Sequence, residues 1–218
     1  MYVGTLRKNS CEAGDSLYKF VVYCLLLLKP LRQRRFSFTS QLLPPMLRDS
    51  LIFLRALEAE DLDFLYALEN DSSLWHVSDA VTPVSRYTLQ KYLDNSAADF
   101  HEVRQLRLVI CAAANGRAVG TIDLFDFEPR HQRAGVGIAV LQNERKSGFA
   151  RAALKLLTIY ARQTLYLHQL FCTIGADNTA SQRLFEQAGF QFIGVRKDWL
   201  RTVEGWQNVV EYQCLLDI

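Results

Sequence analysis

Hydrophobic and polar positions repeat with two periods along residues 51–216, and the period changes from strand-like to helix-like several times. Short apolar runs predict strands over 51–55, 106–112, 118–125, 134–141, 169–174, 191–196 and 209–216. Apolar residues at helical spacing predict helices over 61–69, 84–98 and 149–162, and a fourth from about 178 to 189. About seven strands and four helices in this order predict an α/β domain.

Turn and cap residues support these boundaries. Asn115-Gly116 predicts a hairpin between the second and third strands, because this dipeptide adopts the tight turn that such a hairpin needs. Either Asp177 or Asn178 is expected to cap the fourth helix, and Gly189 to end it. The pair 204–205 is expected to form the turn of a final hairpin.

The loop between the fourth strand and the third helix has the composition of an anion site. It reads Arg145-Lys146-Ser147-Gly148-Phe149-Ala150, and it ends where the helix begins. Unpaired N–H groups and the helix dipole favour negative charge there, and a glycine allows close approach of a ligand. The spacing is neither that of a Walker loop nor G-x-G-x-x-G.

This R-x-x-G-x-A loop resembles the pyrophosphate loop of the GNAT acyl-CoA N-acyltransferases, whose pattern is Q/R-x-x-G-x-G/A. Residues 177–190, DNTASQRLFEQAGF, resemble the second signature of that family, N-x-x-S/A-x-x-L-Y/F-x-x-x-G-F. The resemblance covers roughly 51–216 and is strongest to the spermidine and ribosomal-protein acetyltransferase branch. It implies the GNAT fold, a mixed, twisted α+β sheet with helices on both faces, over a domain of residues 46–218.

The resemblance also implies acetyl-CoA, or another short acyl-CoA, as co-substrate. The fourth strand would pair its backbone with the pantetheine arm, the loop would hold the pyrophosphate, and the fourth helix would line the same site. The cofactor-binding residues so implied are Ile138, Ala139, Val140, Arg145, Lys146, Ser147, Gly148, Phe149, Ala150, Arg151, Asn178, Ser181 and Phe185.

The reaction implied is direct attack of a primary amine on the thioester. An alkyl amine has a pKa near 10.4, so removing its proton at pH 7 costs roughly 4–5 kcal/mol. Asp123 and Asp126, in or just after an apolar strand, are the candidate proton acceptors, although either could be a surface acid at a strand end. Glu69 and Asp71 are candidates for binding the acceptor, or belong to a solvated helix end.

The fourth helix departs from the family at one position. Many members carry a tyrosine there as general acid, whereas this chain has Phe185, which cannot donate a proton. Ser181 or a water would then act as the general acid, or the thiolate would leave without a proton donor. Trp206 in the final hairpin could contact the acceptor, or serve only in packing.

Two classes of function remain open on these residues. The first is an N-acetyltransferase acting on a polyamine such as spermidine, a protein N-terminus or a small amine. The second is a non-catalytic acyl-CoA-binding module, which the missing tyrosine motivates. A homodimer is expected by analogy with the family.

Composition and charge limit the classes of partner and cofactor that the chain is expected to bind. The chain has 218 residues, of which 50% are hydrophobic, and a formal net charge of +2, which argues against a dedicated nucleic-acid binder. The five cysteines lack C-x-x-C spacing and are expected to be buried thiols in a reducing cytoplasm. The four histidines are scattered, so no metal site is expected.

Residues 1–45 form a separate extension with seven Lys or Arg and two acids. The apolar run 20–28 is nine residues long, too short to span a bilayer. A membrane-surface anchor, a flexible appendage and an upstream stretch read from too early a start codon are the three interpretations. We favour the third, because Met46 directly precedes the first strand of the domain, and we expect no membrane association.

Overall fold

A computed structural model describes residues 47–75, 82–95, 100–202 and 204–216, so the extension 1–45 lies outside the described residues. The domain contains one seven-stranded sheet of order β1-β2-β3-β4-β5-β7-β6. The strands are β1 (Ile52–Ala56), β2 (Leu106–Ala112), β3 (Ala118–Glu128), β4 (Arg133–Val140), β5 (Gln169–Gly175), β6 (Gln191–Thr202) and β7 (Gly205–Leu215). Six strand pairs join them, and β4–β5 is the parallel pair.

Six α-helices occur in the described residues. Four have eight or more residues: α1 (Leu62–Glu69), α3 (Arg86–Asp94), α5 (Phe149–Gln163) and α6 (Thr179–Gln187). Two single turns, α2 (Ser72–Trp75) and α4 (Phe100–Val103), were not predicted, because four residues are too few for a period to show. The mixed α/β fold predicted from the chain is confirmed. None of the helices in the described part of the chain is long and apolar enough to cross a membrane.

Several predicted boundaries need correction. The second helix was predicted over 84–98 but α3 ends at Asp94, where Asn95 terminates it and donates its side chain to the Lys91 carbonyl at 2.8 Å. The prediction's last residues, 96–98, lie outside the described residues. β6 continues to Thr202 instead of ending at 196, through a register shift between Arg196 and Leu200. A bulge of this kind carries a strand past a point where its alternation is interrupted.

The main core lies between the sheet and one layer of helices. The apolar stripe of α5, which includes Ala153, Leu154 and Leu157, packs on buried side chains of the first four strands. The opposite face of the sheet is covered, over its first strands, by α1 and α3. Leu65, Leu89 and Leu93 of these helices form a separate small cluster. Helices therefore lie on both faces.

The sheet opens between its fourth and fifth strands. β4 and β5 pair only over Arg133–Gly135 and Gln169–Phe171, and no pairing continues toward Val140. The later half of β4 therefore has backbone groups with no strand beside them. This gap places the end of β4, the loop after it and the beginning of α6 around one opening.

Candidate active site

A cleft of about 530 Å³ occupies the opening beside β4. Its walls come from the end of β4, the loop 144–148, the first turn of α5 and the length of α6. Of the thirteen residues predicted to bind the co-substrate, eleven line it: Ile138, Ala139, Val140, Arg145, Lys146, Gly148, Phe149, Ala150, Arg151, Asn178 and Ser181. Segments far apart in the chain thus meet where the sequence predicted one site.

The later half of β4 presents to this cleft an edge with which no described strand pairs. Leu141 donates its N–H to the Val119 carbonyl at 3.0 Å, on the β3 side. Backbone groups of a strand alternate in direction, so those of Ile138 and Val140 point toward the gap. The Val140 carbonyl accepts a hydrogen bond from Arg145 Nε at 3.2 Å. Ile138, two residues earlier in β4, lies on the same edge.

The beginning of α5 forms the second wall. Gly148 is the N-cap residue with φ of +81°, a conformation that costs other residues about 1–2 kcal/mol. The first bond of the helix runs from the Ala152 N–H to the Gly148 carbonyl at 3.1 Å. The N–H groups of the three residues between them therefore have no partner within the helix and point out of its positive end.

The beginning of α6 forms the third wall. Of the two predicted cap residues, Asp177 and Asn178, the N-cap is Asn178, and its side-chain oxygen accepts the Ser181 N–H at 3.1 Å. Ser181 is half-buried and faces the cleft, so its hydroxyl lies in the same wall. Phe185, one turn later, is 3% exposed and packs edge-to-face on Phe190, with ring centroids 5.0 Å apart. The structure places Phe185 in the core, not among the residues that line the cleft.

These walls fit an acyl-CoA. The unpaired strand edge can hydrogen-bond the amides of the pantetheine arm. The first turn of α5 has no side-chain cap and has Lys146 and Arg151 nearby, so it suits a pyrophosphate. Gly148 leaves room for the close approach that an anion needs. Ser147, although in the loop, is exposed and does not line the cleft.

A segment after α1 also reaches this cleft. Arg145 Nη2 donates to Ser73 Oγ at 3.1 Å, across 72 residues of chain, and Ser73 lines the cleft. Asp71 accepts the Ser73 N–H at 2.9 Å. Hydrogen bonds from Ser73 lower the pKa of Asp71 from its ordinary value, and the charge of Arg145 adds to the effect. Asp71, predicted to bind the acceptor, is therefore tied to this cleft, which we call the co-substrate cleft because its lining is the one predicted to hold acetyl-CoA.

Asp123 and Glu69 meet at one arginine on the sheet face that carries α1 and α3. Arg107 donates from Nε to Asp123 Oδ1 at 2.6 Å and from Nη2 to Asp123 Oδ2 at 3.3 Å. Its Nη1 donates to Glu69 Oε1 at 2.8 Å. The guanidinium also lies over the ring of Tyr92, 5.5 Å from the centroid. We call these four residues the Arg107 cluster.

Burial perturbs the groups of this cluster. It raises the pKa of Asp123 from its ordinary value, and Arg107 opposes that rise through its charge and its hydrogen bonds. The pKa of Arg107 is itself raised by the carboxylates around it, although burial acts against that change. Burial also raises the pKa of the Tyr92 hydroxyl. Asp123 is therefore a carboxylate whose affinity for a proton is above that of a solvated one.

Asp126 lies in a second cleft, of about 800 Å³, that includes Phe125 and Phe171. The two rings meet edge-to-face across the β4–β5 junction, with centroids 6.1 Å apart. Asp126 has φ of +49° and lies where the β3–β4 register shifts. It is exposed and, unlike Asp123, is not part of the Arg107 cluster.

Trp206 lies away from both clefts. It is 60% exposed near the start of β7, and the guanidinium of Arg201 lies 5.4 Å from its ring centroid. The predicted final hairpin is present with Glu204 in its turn, but Gly205 pairs with Thr202 and is already the first residue of β7. The structure does not bring Trp206 to the residues predicted to hold the acceptor.

Arg107, Tyr92 and Ser73 were not among the site residues predicted from the sequence. Arg107 carried a usable signal, since it is a charged residue within the apolar run of β2, the same signal that drew attention to Asp123. Tyr92 and Ser73 carried no such signal, because a tyrosine within a helix and a serine that follows a helix are common and do not by themselves indicate a site.

Comparison with known proteins identifies this architecture. Residues 52–191 match the family described as "Acetyltransferase (GNAT) domain". The spermidine N(1)-acetyltransferase of Vibrio cholerae is 26% identical over 145 residues, which are 65% of this chain and 80% of that protein. The uncharacterized N-acetyltransferase YoaA of Bacillus subtilis is 24% identical over 168 residues, covering 77% of this chain and 92% of that protein.

Solved structures share the fold. The crystal structure of spermidine N-acetyltransferase from Vibrio cholerae in complex with CoA and spermine superposes with a TM-score of 0.70 at 23% identity. The superposition covers 77% of this chain and 97% of that one. The family match spans most of the described domain and includes the end of β4, the loop 144–148 and α6. The chain therefore belongs to the GNAT acetyltransferase family and is an acetyl-CoA-dependent N-acetyltransferase.

Proposed function

We propose that the acceptor is a small primary amine, with a polyamine such as spermidine foremost, and that it attacks acetyl-CoA directly. The observation that carries this proposal is the position of Asp123. Its carboxylate lies beside β4, whose edge lines the co-substrate cleft, so a proton acceptor and the co-substrate meet at one strand. The names of the relatives support a polyamine over a protein N-terminus.

The residues would divide the work as follows. The edge of β4 and the beginning of α5 hold acetyl-CoA, which supplies an activated acetyl group. Asp123 accepts a proton from the ammonium of the acceptor, which frees the nitrogen lone pair to form the N–C bond. As the C–S bond breaks, Ser181 donates its hydroxyl proton to the leaving sulfur and is reprotonated by the second proton that the acetylated nitrogen releases, since Phe185 has no proton to give. The products are an N-acetylamine and free CoA thiol.

The second cleft is our candidate for the rest of the acceptor. Its floor is the Phe125–Phe171 pair at the β4–β5 junction, and Asp126 lines it. Two of its acids already have partners, since Glu128 faces Arg104 at 3.8 Å and Glu211 is paired with Arg196. Asp126 is therefore the acid that we assign to a second positive charge of the acceptor.

Location and assembly remain predictions. Cys111, Cys172 and Cys214 are buried, which supports the reducing cytoplasm predicted from composition. The exposed apolar side chains of β6, among them Phe192, Ile193 and Trp199, support self-association, for which the homodimer is our proposal.

A thiol-release assay tests the proposed function. The purified full-length chain would be given acetyl-CoA with spermidine, spermine, N-terminal peptides or aminoglycosides, each at several concentrations. We expect thiol release that saturates with a polyamine and a mass increase of one acetyl group on that acceptor. Saturable release with peptides alone would replace the polyamine by a protein N-terminus. Binding of CoA without turnover of any amine would contradict the proposal.

A further inference from the structure

Arg107 is the member of the Arg107 cluster that holds the others. All three of its guanidinium nitrogens are used, two on Asp123 and one on Glu69. Its side chain is 20% exposed and that of Asp123 is 14% exposed, so the pair is largely shielded from water. A planar guanidinium can donate to two carboxylates at once in a fixed geometry, whereas a lysine ammonium is a single point charge without that geometry.

The cluster lies against the strand that lines the co-substrate cleft. Asp123 pairs in register with Arg107 on one side and with Gly137 of β4 on the other. A Cβ placed on Gly137 would lie 3.9 Å from Asp123 Oδ2 and 3.7 Å from the Phe125 ring. Gly137 therefore leaves a space in front of the carboxylate, one residue before Ile138 of the cleft wall.

The ionisation of Asp123 depends on few groups. Among the described residues, the charges that act on it are Arg107 from β2 and Glu69 from α1, Tyr92 of α3 is a titratable neighbour whose own pKa Asp123 raises, and β4 faces it with Gly137. Arg107 favours the ionised carboxylate, and burial and Glu69 disfavour it. Only an ionised carboxylate can accept a proton, so Arg107 acts on the chemistry through Asp123.

We propose that Arg107 is the positioning residue of the acceptor site, and that it keeps the Asp123 carboxylate ionised and fixed in front of Gly137 to take the proton of the attacking amine. This inference rests on the proposed function, because it needs an amine acceptor. It assigns to Arg107 a role in the pH dependence of turnover that a purely structural ion pair would not have.

The test is the pH profile of kcat/KM for the best amine acceptor, measured with the full-length chain. In R107Q the charge that favours ionised Asp123 is absent, so the acid limb should move up by about one pH unit or more, with about tenfold lower activity below the limb. In E69Q a charge that disfavours ionisation is absent, so the limb should move down. R107K should keep the limb near its wild-type position but lower kcat.

R55Q is the matched control. Arg55 grips Asp61 through two bonds of 2.6 and 2.7 Å, and that pair is also shielded, with side chains 26% and 6% exposed. It lies on edge strand β1 and lines neither cleft. R55Q should therefore cost stability, read as a lower Tm, without moving the acid limb. R107Q should cost stability and also move the limb.

The outcomes separate the two proposals. A wild-type protein without amine-dependent thiol release overturns the proposed function, and this inference with it. An active wild type whose acid limb is unchanged in both R107Q and E69Q overturns this inference alone, leaving Arg107 a structural residue. If R107Q does not fold, E69Q still tests the inference, because it should move the acid limb of the pH profile in the opposite direction.

Discussion

Gly148→Ala should separate the folding role of the loop 145–150 from the role in holding the co-substrate that we propose for it. The added Cβ would meet Leu51 Cδ2 at 3.5 Å, an ordinary van der Waals contact, so no clash arises. The remaining cost is the φ of +81°, about 1–2 kcal/mol for alanine. In a domain of this size we expect Tm to fall by about 2–8 °C.

The effect on acetyl-CoA should be larger than the effect on folding. The new methyl group would stand beside the free N–H groups at the beginning of α5. If it prevents one charge-assisted hydrogen bond to the pyrophosphate, the loss is about 1.5–3 kcal/mol. That corresponds to a rise in KM for acetyl-CoA of roughly 10-fold to 150-fold, at about 1.4 kcal/mol per factor of ten.

Gly116→Ala is the matched control for this prediction. Gly116 has a similar φ of +75°, has nothing within 4 Å of an added Cβ, and lies in the β2–β3 hairpin away from the cleft lining. Both variants would be assayed for Tm and for thiol release against acetyl-CoA concentration at saturating amine. Equal Tm losses with a KM change in Gly148→Ala alone are expected. Similar KM values in the two variants would refute the assignment of this loop.

Three further expectations follow from the described contacts. Asp123→Asn should lower kcat by roughly 10²-fold to 10⁴-fold while CoA binding, measured by calorimetry, stays near the wild-type value; full activity would exclude Asp123 as the proton acceptor. Asn178→Ala removes the cap that accepts the Ser181 N–H, so urea unfolding should show a loss of about 1 kcal/mol, and an unchanged midpoint would contradict the cap. Burial raises the pKa of Cys172 to about 12, so its peptide should stay unlabelled by a thiol reagent at pH 8 until the chain is unfolded in urea; rapid labelling of the native protein would show that the thiol is not buried.

Local patterns sufficed for the co-substrate cleft. The end of β4, the loop and the beginning of α5 are consecutive in the chain, so strand period, glycine and helix start together predict their arrangement. Asn178 and Ser181 could also be placed, because a helix beginning leaves N–H groups that need a cap. Phe185 shows where such reasoning stops. Helical period puts it near Ser181, but only packing against Phe190 decided that its ring faces the core.

The acceptor side depended on the tertiary structure. The bond from Arg107 to Glu69 spans 38 residues, the bond from Arg107 to Asp123 spans 16, and the bond from Arg145 to Ser73 spans 72. Which charges meet across such distances depends on strand register and helix packing. Asp123 was visible as an acid within an apolar strand, but its partner was not.

The sequence alone thus determined the order of the long strands and helices, the place of the R-x-x-G-x-A loop before α5 and the family to which that loop pointed, since these follow from residue periods and short-range hydrogen bonding. The tertiary structure alone decided that Glu69, Asp71 and Asp123, three acids of similar appearance in the sequence, have different surroundings. Two share Arg107 on one face of the sheet, and Asp71 is tied through Ser73 to the co-substrate cleft. The physical reason is that a charge acts on whatever lies within a few ångströms of it, and only the folded chain sets those neighbours.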